Sequence, residues 1–286
     1  MCGLQRKGYP KKSKTFGKEA IPIKIVMWSP TAFGGRKSAN LLLFALQAAA
    51  AGEGEQLIIH VDPEGSGPEH FLLSGSHRRR MMSEKEFGVE FLANLLRCER
   101  FSKEQVITAA YTFAEGKLHV LPPGRKEFYE HDTGNTADLI SKILKSTDEV
   151  FRHVWIELPA GESLFADRIL SEADCVIFNL AQSPAEIGKL KEMQQLKNVF
   201  YLVGAYEQRN ILSVHNLELL YPMLRGRCGC IPYCSEFMAA CCTGDAEAFR
   251  MRGAGQKDMK EITAFFCAVE KAYDSWKVRC GTYIHE

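Results

Sequence analysis

Short apolar runs rich in β-branched residues alternate with stretches in which apolar residues recur every three or four positions. The runs that predict strands are residues 23–29, 56–61, 118–121, 153–158, 175–180 and 199–203. The helical patterns cover residues 37–51, 84–97, 103–109, 136–145, 163–170, 184–195 and 257–278. This alternation is typical of an α/β fold: a doubly wound, mainly parallel sheet with helices on both faces.

Composition places the chain among ordinary globular proteins. Its 286 residues are 46% hydrophobic and 25% charged, with a formal net charge of +1, so the whole molecule carries no strong attraction to nucleic acid or acidic lipid. Residues 1–20 predict a flexible basic tail, and residues 21–286 predict one α/β domain. The charged first residues lack the apolar core of a secretory signal, and no apolar run approaches a membrane span. We expect a cytoplasmic location, or a peripheral one at the inner face of the membrane.

The segment after the first predicted strand combines glycines with a lysine and a serine. It reads SPTAFGGRKS at residues 29–38, directly before a helix. Glycines before a helix let backbone N–H groups surround a phosphate, and the helix N-terminus adds a positive dipole. Lysine and serine in the positions of Lys37 and Ser38 reach the outer phosphates and Mg²⁺.

Two later strands also end in acidic residues. HVDPEG follows the second strand at residues 60–65, and ELPAG stands at residues 157–161. Ligands of an open parallel sheet bind beyond the carboxyl ends of its strands. Asp62 and Glu157 are therefore candidates for orienting water and for holding Mg²⁺.

Together these motifs resemble the ParA/MinD-like P-loop ATPases of the SIMIBI class. That family carries S-P-K-G-G-V-G-K-[ST], then D-x-D-P-x-G, D-L-P-x-G and I-P-Y-D; the last is similar to IPY at residues 231–233. The resemblance runs from Ile23 to about Trp276 and implies a homodimer that binds ATP and Mg²⁺. It places a cofactor-binding role on Gly34, Gly35, Arg36, Lys37, Ser38, Ala39 and Pro232, a metal-binding role on Ser38 and Glu157, and a catalytic role on Asp62.

The chain departs from the family pattern at the positions that serve hydrolysis. The signature lysine falls on Ala32, the glycine before the conserved lysine on Arg36, and the first switch aspartate on His60. Glu157 replaces an aspartate, and no asparagine follows Val203 to contact a base. Charge-stabilising residues of this kind contribute roughly 10³ to 10⁵ in rate, so their loss predicts a pseudo-ATPase. At His60 itself a hydrogen-bonded structural histidine is the simpler interpretation.

Two functions fit this pattern. The first is a non-hydrolysing or very slow nucleotide-binding scaffold, with weak or absent ATP and Mg²⁺, that serves subcellular positioning or pilus and secretion assembly, as in the TadZ/CpaE branch. Its partner would be a protein of such a localisation system. The second is an active slow ATPase of the chromosome or plasmid-partitioning or septum-site type, completed by Arg36 and Asp62. A dinucleotide-binding enzyme is disfavoured because no G-x-G-x-x-G follows the first strand.

Three other features each leave two interpretations open. The cysteines Cys228, Cys230, Cys234, Cys241 and Cys242 lie within fifteen residues, either as separate thiols or as a metal site. Arg78, Arg79 and Arg80 with the basic tail are a solvated charge run or a patch that contacts DNA or membrane. The last helix either packs on the sheet or anchors the chain to a membrane surface.

Overall fold

The computed structural model describes residues 23–32, 35–75, 87–97, 102–130, 133–147, 150–190, 198–253 and 260–284. The predicted basic tail, Gly34 and the arginines at 78–80 lie outside these residues.

The described residues form eight strands in a single sheet. In chain order they are β1 (Ile23–Trp28), β2 (Gln56–His60), β3 (Tyr111–Phe113), β4 (Leu118–Leu121), β5 (His153–Glu157), β6 (Cys175–Leu180), β7 (Val199–Tyr206) and β8 (Cys228–Pro232). Their order across the sheet is β3-β4-β2-β5-β1-β6-β7-β8. Every neighbouring pair is parallel except β3 and β4, which are antiparallel.

Twelve α-helices accompany the strands in the described residues. They are α1 (Lys37–Ala50), α2 (Pro68–Leu72), α3 (Gly88–Arg97), α4 (Lys103–Thr108), α5 (Lys126–Glu130), α6 (Thr133–Ser146), α7 (Leu164–Ser171), α8 (Pro184–Gly188), α9 (Val214–Leu220), α10 (Ser235–Thr243), α11 (Ala246–Gly253) and α12 (Lys260–Ile284).

Helices cover both faces of the sheet, as the sequence predicts. One apolar core lies between the sheet and helices α1, α2, α10, α11 and α12. A second core fills the opposite face, under α3, α4, α6, α7 and α9. The inner strands are buried along nearly their whole length because both of their faces are covered. The α/β fold class is therefore confirmed.

The position of β1 determines where a ligand site can form. β1 lies between β5 and β6, so the chain leaves it toward β2 on one side and later returns to β6 on the other. This reversal opens a crevice at the carboxyl end of β1, which is where ligands bind in doubly wound sheets. The loop from Ser29 to Arg36 begins at that end.

Most predicted elements are present, with changed ends. The α-helix predicted at 184–195 ends at Gly188, because glycine is a poor helix former, and 191–197 are not described. Strand β7 extends to Tyr206, where it pairs with Pro232 of β8. The sequence pattern does not predict α2, β3, α5, α9 or α11, which are short or carry few periodic apolar positions.

The last helix packs on the sheet, which is one of its two predicted roles. Its apolar side chains are buried in the first core: Ile262, Phe265, Phe266, Val269, Tyr273 and Trp276. These side chains are therefore not available to a membrane surface. None of the described helices is long and apolar enough to cross a bilayer.

Candidate functional site

The end of the loop before α1 is fixed by tight contacts with the neighbouring strands. A Cβ on Gly35 would lie 2.1 Å from the carbonyl oxygen of Leu180, and a Cβ on Gly204 would lie 1.7 Å from the carbonyl oxygen of Gly35. Asn40 Nδ2 donates to the same Gly35 oxygen at 2.7 Å and to Asn179 Oδ1 at 2.7 Å. Glycine is therefore required at both 35 and 204 for the loop to lie against β6 and β7.

Arg36 adopts a backbone conformation that favours glycine. It is the N-cap of α1 with φ 62° and ψ 46°, in the left-handed region, and Gly35 before it has φ 52°. A non-glycine residue in this region costs roughly 1 to 2 kcal/mol. The guanidinium carbon of Arg36 lies 5.8 Å from the centre of the Tyr233 ring. The expected cost of a side chain at this position is thus visible in the backbone.

Within the described residues, the N-terminus of α1 has no side-chain cap hydrogen bond, and its first turn holds no acidic residue. The first N–H groups of a helix have no partner within the helix, and with the helix dipole they attract an anion. Lys37 and Ser38 begin this helix, while Ala39 is buried behind them in the first core. The backbone here has the polarity of a phosphate site.

Lys37, Ser38 and Glu157 meet at this helix end. Ser38 Oγ donates to Glu157 Oε1 at 2.5 Å. Lys37 Nζ donates to the carbonyl oxygen of Leu158 and lies 3.6 Å from Glu157 Oε1. Glu157 is only 1% exposed, and its other oxygen, Oε2, is buried without a described hydrogen-bond partner. Burying a carboxylate oxygen without a partner is costly, so this position favours a bound cation or a hydrogen-bond donor.

Asp62 lies at the edge of the same group. Its Oδ2 is 3.9 Å from Lys37 Nζ, and its Oδ1 accepts a hydrogen bond from the backbone N–H of Glu64 at 3.2 Å. The sheet register explains this proximity, since His60 of β2 pairs with Glu157 of β5. Residues that follow β2 therefore pass close to the end of β5.

His60 occupies the position of the family's first switch aspartate and forms a buried pair. Its Nδ1 lies 3.1 Å from Oε1 of Glu69, and both side chains are at most 3% exposed. Burial opposes the charged form of His60, but the Glu69 carboxylate outweighs burial, so the pKa of His60 is raised. Burial likewise opposes the carboxylate, yet contacts with His60 and His70 hold the pKa of Glu69 well below its usual range. His60 is thus hydrogen-bonded, as a structural histidine is expected to be.

A cavity of about 250 Å³ adjoins this helix end. It is lined by Gly35, Arg36, Ala181, Gln182, Gly204, Ala205, Glu207 and Asn210. Pro232, for which the resemblance implies contact with a base, ends β8 and is not among these lining residues, whereas its neighbour Tyr233 contacts Arg36. The sequence pattern gives no hint of Gln182, Glu207 and Asn210 because they belong to irregular loops.

The cysteines do not converge in the described part of the chain, where no three potential ligands among His, Cys, Asp and Glu form a metal cluster. Cys228 and Cys230 lie on β8, Cys241 is buried and Cys242 is exposed. Burial raises the pKa of Cys228, and it raises the pKa of Cys241 to about 12. Thiolate is the form that binds zinc, so these two groups are disfavoured as ligands.

Known proteins resemble this chain in structure. A ParA family ATPase from Chlorobium tepidum TLS is 14% identical with a TM-score of 0.64, and the match covers 87% of this chain and 98% of that one. A plasmid partition protein of Borrelia burgdorferi B31 bound to AMPPNP is 12% identical with a TM-score of 0.61, covering 88% and 98%. The cell division protein MinD of Aquifex aeolicus is 17% identical with a TM-score of 0.58, covering 91% and 97%.

This chain has the fold of the ParA and MinD ATPases. No protein-family profile matches the sequence, and no curated protein sequence is significantly similar to it. At 12 to 17% identity the likeness concerns the fold alone.

Proposed function

We propose that this protein is a nucleotide-binding scaffold of the ParA/MinD type that hydrolyses its nucleotide very slowly or not at all. The observation that supports it best is the meeting of Lys37, Ser38 and the buried Glu157 at the uncapped N-terminus of α1. Its biological role, by resemblance to the TadZ/CpaE branch, is subcellular positioning or pilus and secretion assembly through a protein partner.

The residues present fit a triphosphate with Mg²⁺. Backbone N–H groups of the first turn of α1 and Lys37 would hold the phosphates, and Ser38 with Glu157 would hold the metal through oxygen atoms, the ligands that Mg²⁺ prefers. The unpartnered Oε2 of Glu157 supports this assignment. Bound Mg²⁺ would neutralise phosphate charge. In the structure Lys37 instead donates to Leu158, so a phosphate would have to draw its ammonium away from that carbonyl.

Slow turnover follows from three features of the same site. Position 60 holds a histidine and not a carboxylic acid. Its Nδ1 is engaged by the carboxylate of Glu69, so this nitrogen is not free to accept a proton from water. Arg36 puts backbone strain where the family has glycine. The described residues provide no second lysine to stabilise charge at the α1 N-terminus, since the corresponding position is Ala32.

A slow but real ATPase is the second candidate function. It is favoured by Asp62, whose Oδ2 lies 3.9 Å from Lys37 Nζ. Among the described residues, Asp62 Oδ1 accepts one hydrogen bond, from the backbone N–H of Glu64. In that case Asp62 would orient the attacking water, and Arg36 would supply positive charge.

Binding and turnover can be measured separately. The purified chain is titrated calorimetrically with ATP and with GTP, each with Mg²⁺, and phosphate release is followed by a coupled assay. We expect binding, and turnover below about 10⁻³ s⁻¹, the range of P-loop proteins that lack a charge-stabilising residue. Lys37→Ala is expected to weaken binding about 10- to 100-fold, because hydrogen bonds to charged groups contribute roughly 1.5 to 3 kcal/mol. Lys142→Ala, on an exposed part of α6, is the matched control.

Each outcome decides one point. Absence of binding by either nucleotide would overturn the proposal, and turnover above about 10⁻³ s⁻¹ would replace the scaffold with the slow ATPase. If Lys37→Ala leaves dimerisation and partner binding unchanged, nucleotide is not the switch of this scaffold.

Contact with DNA or a membrane through Arg78, Arg79, Arg80 and the basic tail is a further part of the proposal. These residues lie outside the described part of the chain. The wild type and a variant with the three arginines changed to glutamine would be compared in DNA binding and in sedimentation with anionic vesicles. The assay in which the variant loses binding identifies the partner.

A further inference from the structure

The cavity beside the α1 N-terminus carries polar groups that can select a nucleobase. It runs from Gly35 and Arg36 to the loop that follows β7. A ligand whose phosphate lies at α1 would therefore place its base in this cavity. The inference drawn below rests on the proposed function, because it concerns the same nucleotide.

Gln182 holds the far wall of the cavity, and both N–H donors of its side chain are already used. Its Nε2 donates to the carbonyl oxygens of Glu207 and Leu212, each at 3.0 Å, and its Oε1 accepts the N–H of Glu207 at 2.6 Å. The amide therefore has no donor left for a ligand. The loop from Glu207 to Leu212 is consequently held against the end of β6.

Two side chains on that loop retain hydrogen-bonding capacity. Asn210 Oδ1 accepts the N–H of Leu212 at 2.9 Å, whereas its Nδ2 has no hydrogen bond with a described residue. The Glu207 carboxylate has no hydrogen bond or ion pair with any described residue. The cavity therefore offers a pair of carboxylate oxygens, which only accept, and an amide N–H, which donates.

This set of groups matches guanine among the natural bases. The Watson–Crick edge of guanine presents two adjacent donors, N1–H and N2–H₂, followed by the acceptor O6. A carboxylate can accept both donors at once, and an amide can donate to O6. Adenine presents a single donor at N6 beside the N1 lone pair, which a carboxylate repels.

We propose that this cavity selects a guanine nucleotide, with Glu207 accepting from N1–H and N2–H₂ and Asn210 donating to O6. Weak or absent binding of ATP, which the degenerate loop predicts, would then coexist with a functional nucleotide site. Glu207 is a specificity-determining residue in this assignment and takes no part in phosphate chemistry.

Competition against a fluorescent guanine nucleotide tests the assignment. In the wild-type chain with Mg²⁺ we expect GTP to bind about tenfold or more tightly than ATP, the effect of one additional hydrogen bond to a charged group. Glu207→Gln should abolish this preference and raise the affinity for xanthosine triphosphate, because an amide can donate to the xanthine 2-oxo group and accept from N1–H. Glu127→Gln, exposed on α5, is the matched control and should retain the wild-type preference.

The outcomes distinguish this inference from the proposed function. Binding of ATP as tightly as GTP would overturn the guanine assignment and leave the nucleotide-binding scaffold standing. A GTP preference that survives in Glu207→Gln, without any gain for xanthosine triphosphate, would overturn the role of Glu207. If no triphosphate binds, both are wrong.

Discussion

Nδ1 of His60 lies 3.1 Å from Oε1 of Glu69, where water does not reach either side chain. His60 ends β2 and Glu69 belongs to the short helix α2 that follows it. The turn between them brings Gly67 against the imidazole, since a Cβ there would lie 2.1 Å from Nδ1. This contact fixes α2 directly beside the candidate phosphate site.

Removing one member of this pair should destabilise the protein strongly. Glu69→Gln keeps the shape but removes the carboxylate that raises the pKa of His60, and removing one partner of a buried pair costs up to roughly 3 to 5 kcal/mol. Urea denaturation would measure the change in the free energy of unfolding, with Glu127→Gln as the exposed control. A loss below about 1 kcal/mol would show that the pair contributes little.

Two substitutions of Arg36 separate backbone strain from the contact with Tyr233. Alanine and glycine both remove the guanidinium, but only glycine tolerates φ 62° without strain. We therefore expect Arg36→Gly to be more stable than Arg36→Ala by about 1 kcal/mol. Thermal or chemical unfolding of the two variants is the measurement, and equal stability would contradict the left-handed conformation of residue 36.

Gly204 is expected to tolerate no side chain. Gly204→Ala would put a Cβ 1.7 Å from the Gly35 carbonyl oxygen and 2.3 Å from Asn40 Nδ2, so the loop must move. We expect a loss of roughly 1 to 3 kcal/mol in the free energy of unfolding together with weaker nucleotide binding. Gly188→Ala is the control, because its Cβ would lie more than 4 Å from the described residues outside its own helix turn and chain neighbours. Wild-type binding by Gly204→Ala would show that this loop position is not part of the site.

His153 predicts a pH dependence of stability. Burial lowers its pKa from 6.5 to about 4. As the pH falls below about 6.5, His153 binds a proton in the unfolded chain, whereas in the folded chain it does so only near pH 4. Stability therefore falls as the pH drops through this window. The full loss in the free energy of unfolding is roughly 3 kcal/mol, since one pKa unit corresponds to about 1.4 kcal/mol. His153→Asn should show a flatter pH profile of unfolding between pH 7 and 4, whereas His215→Asn, at an exposed position, should follow the wild type.

Two exposed aliphatic side chains predict where a second copy of this chain would bind. Leu164 is 86% exposed after the β5 loop, and Ile211 is 81% exposed after β7, both on the edge of the sheet that holds the nucleotide site. Burial of one such side chain contributes about 1.5 to 3 kcal/mol. A Leu164→Glu, Ile211→Glu variant should weaken a nucleotide-dependent dimer at least tenfold in sedimentation experiments.

Met251→Glu is the matched control for this variant, because Met251 is 63% exposed on α11, away from that edge. The homodimer across this edge would be excluded if the double variant dimerised like the wild type, or if Met251→Glu had the larger effect.

The strands, and the proximity of the lysine, serine and acid at their ends, could be predicted from the sequence. Each inner strand is buried on both faces, and such strands appear in the sequence as continuous apolar runs. Lys37 and Ser38 could be placed near Glu157 because they begin the helix after the first strand and Glu157 ends another strand, at the edge where the ends of parallel strands meet. The short helix α2 was not predictable, since five residues contain too little periodicity to be recognised.

The sequence by itself determined the α/β fold class and the lysine, serine and acid at the end of the sheet, because periodic burial leaves a repeating pattern along the chain. Tertiary structure alone decided which residues face one another. It paired His60 with Glu69 and brought Gln182 together with Glu207 across the ends of β6 and β7. Such contacts join irregular segments that approach only after the sheet has formed, so no local spacing in the sequence can encode them.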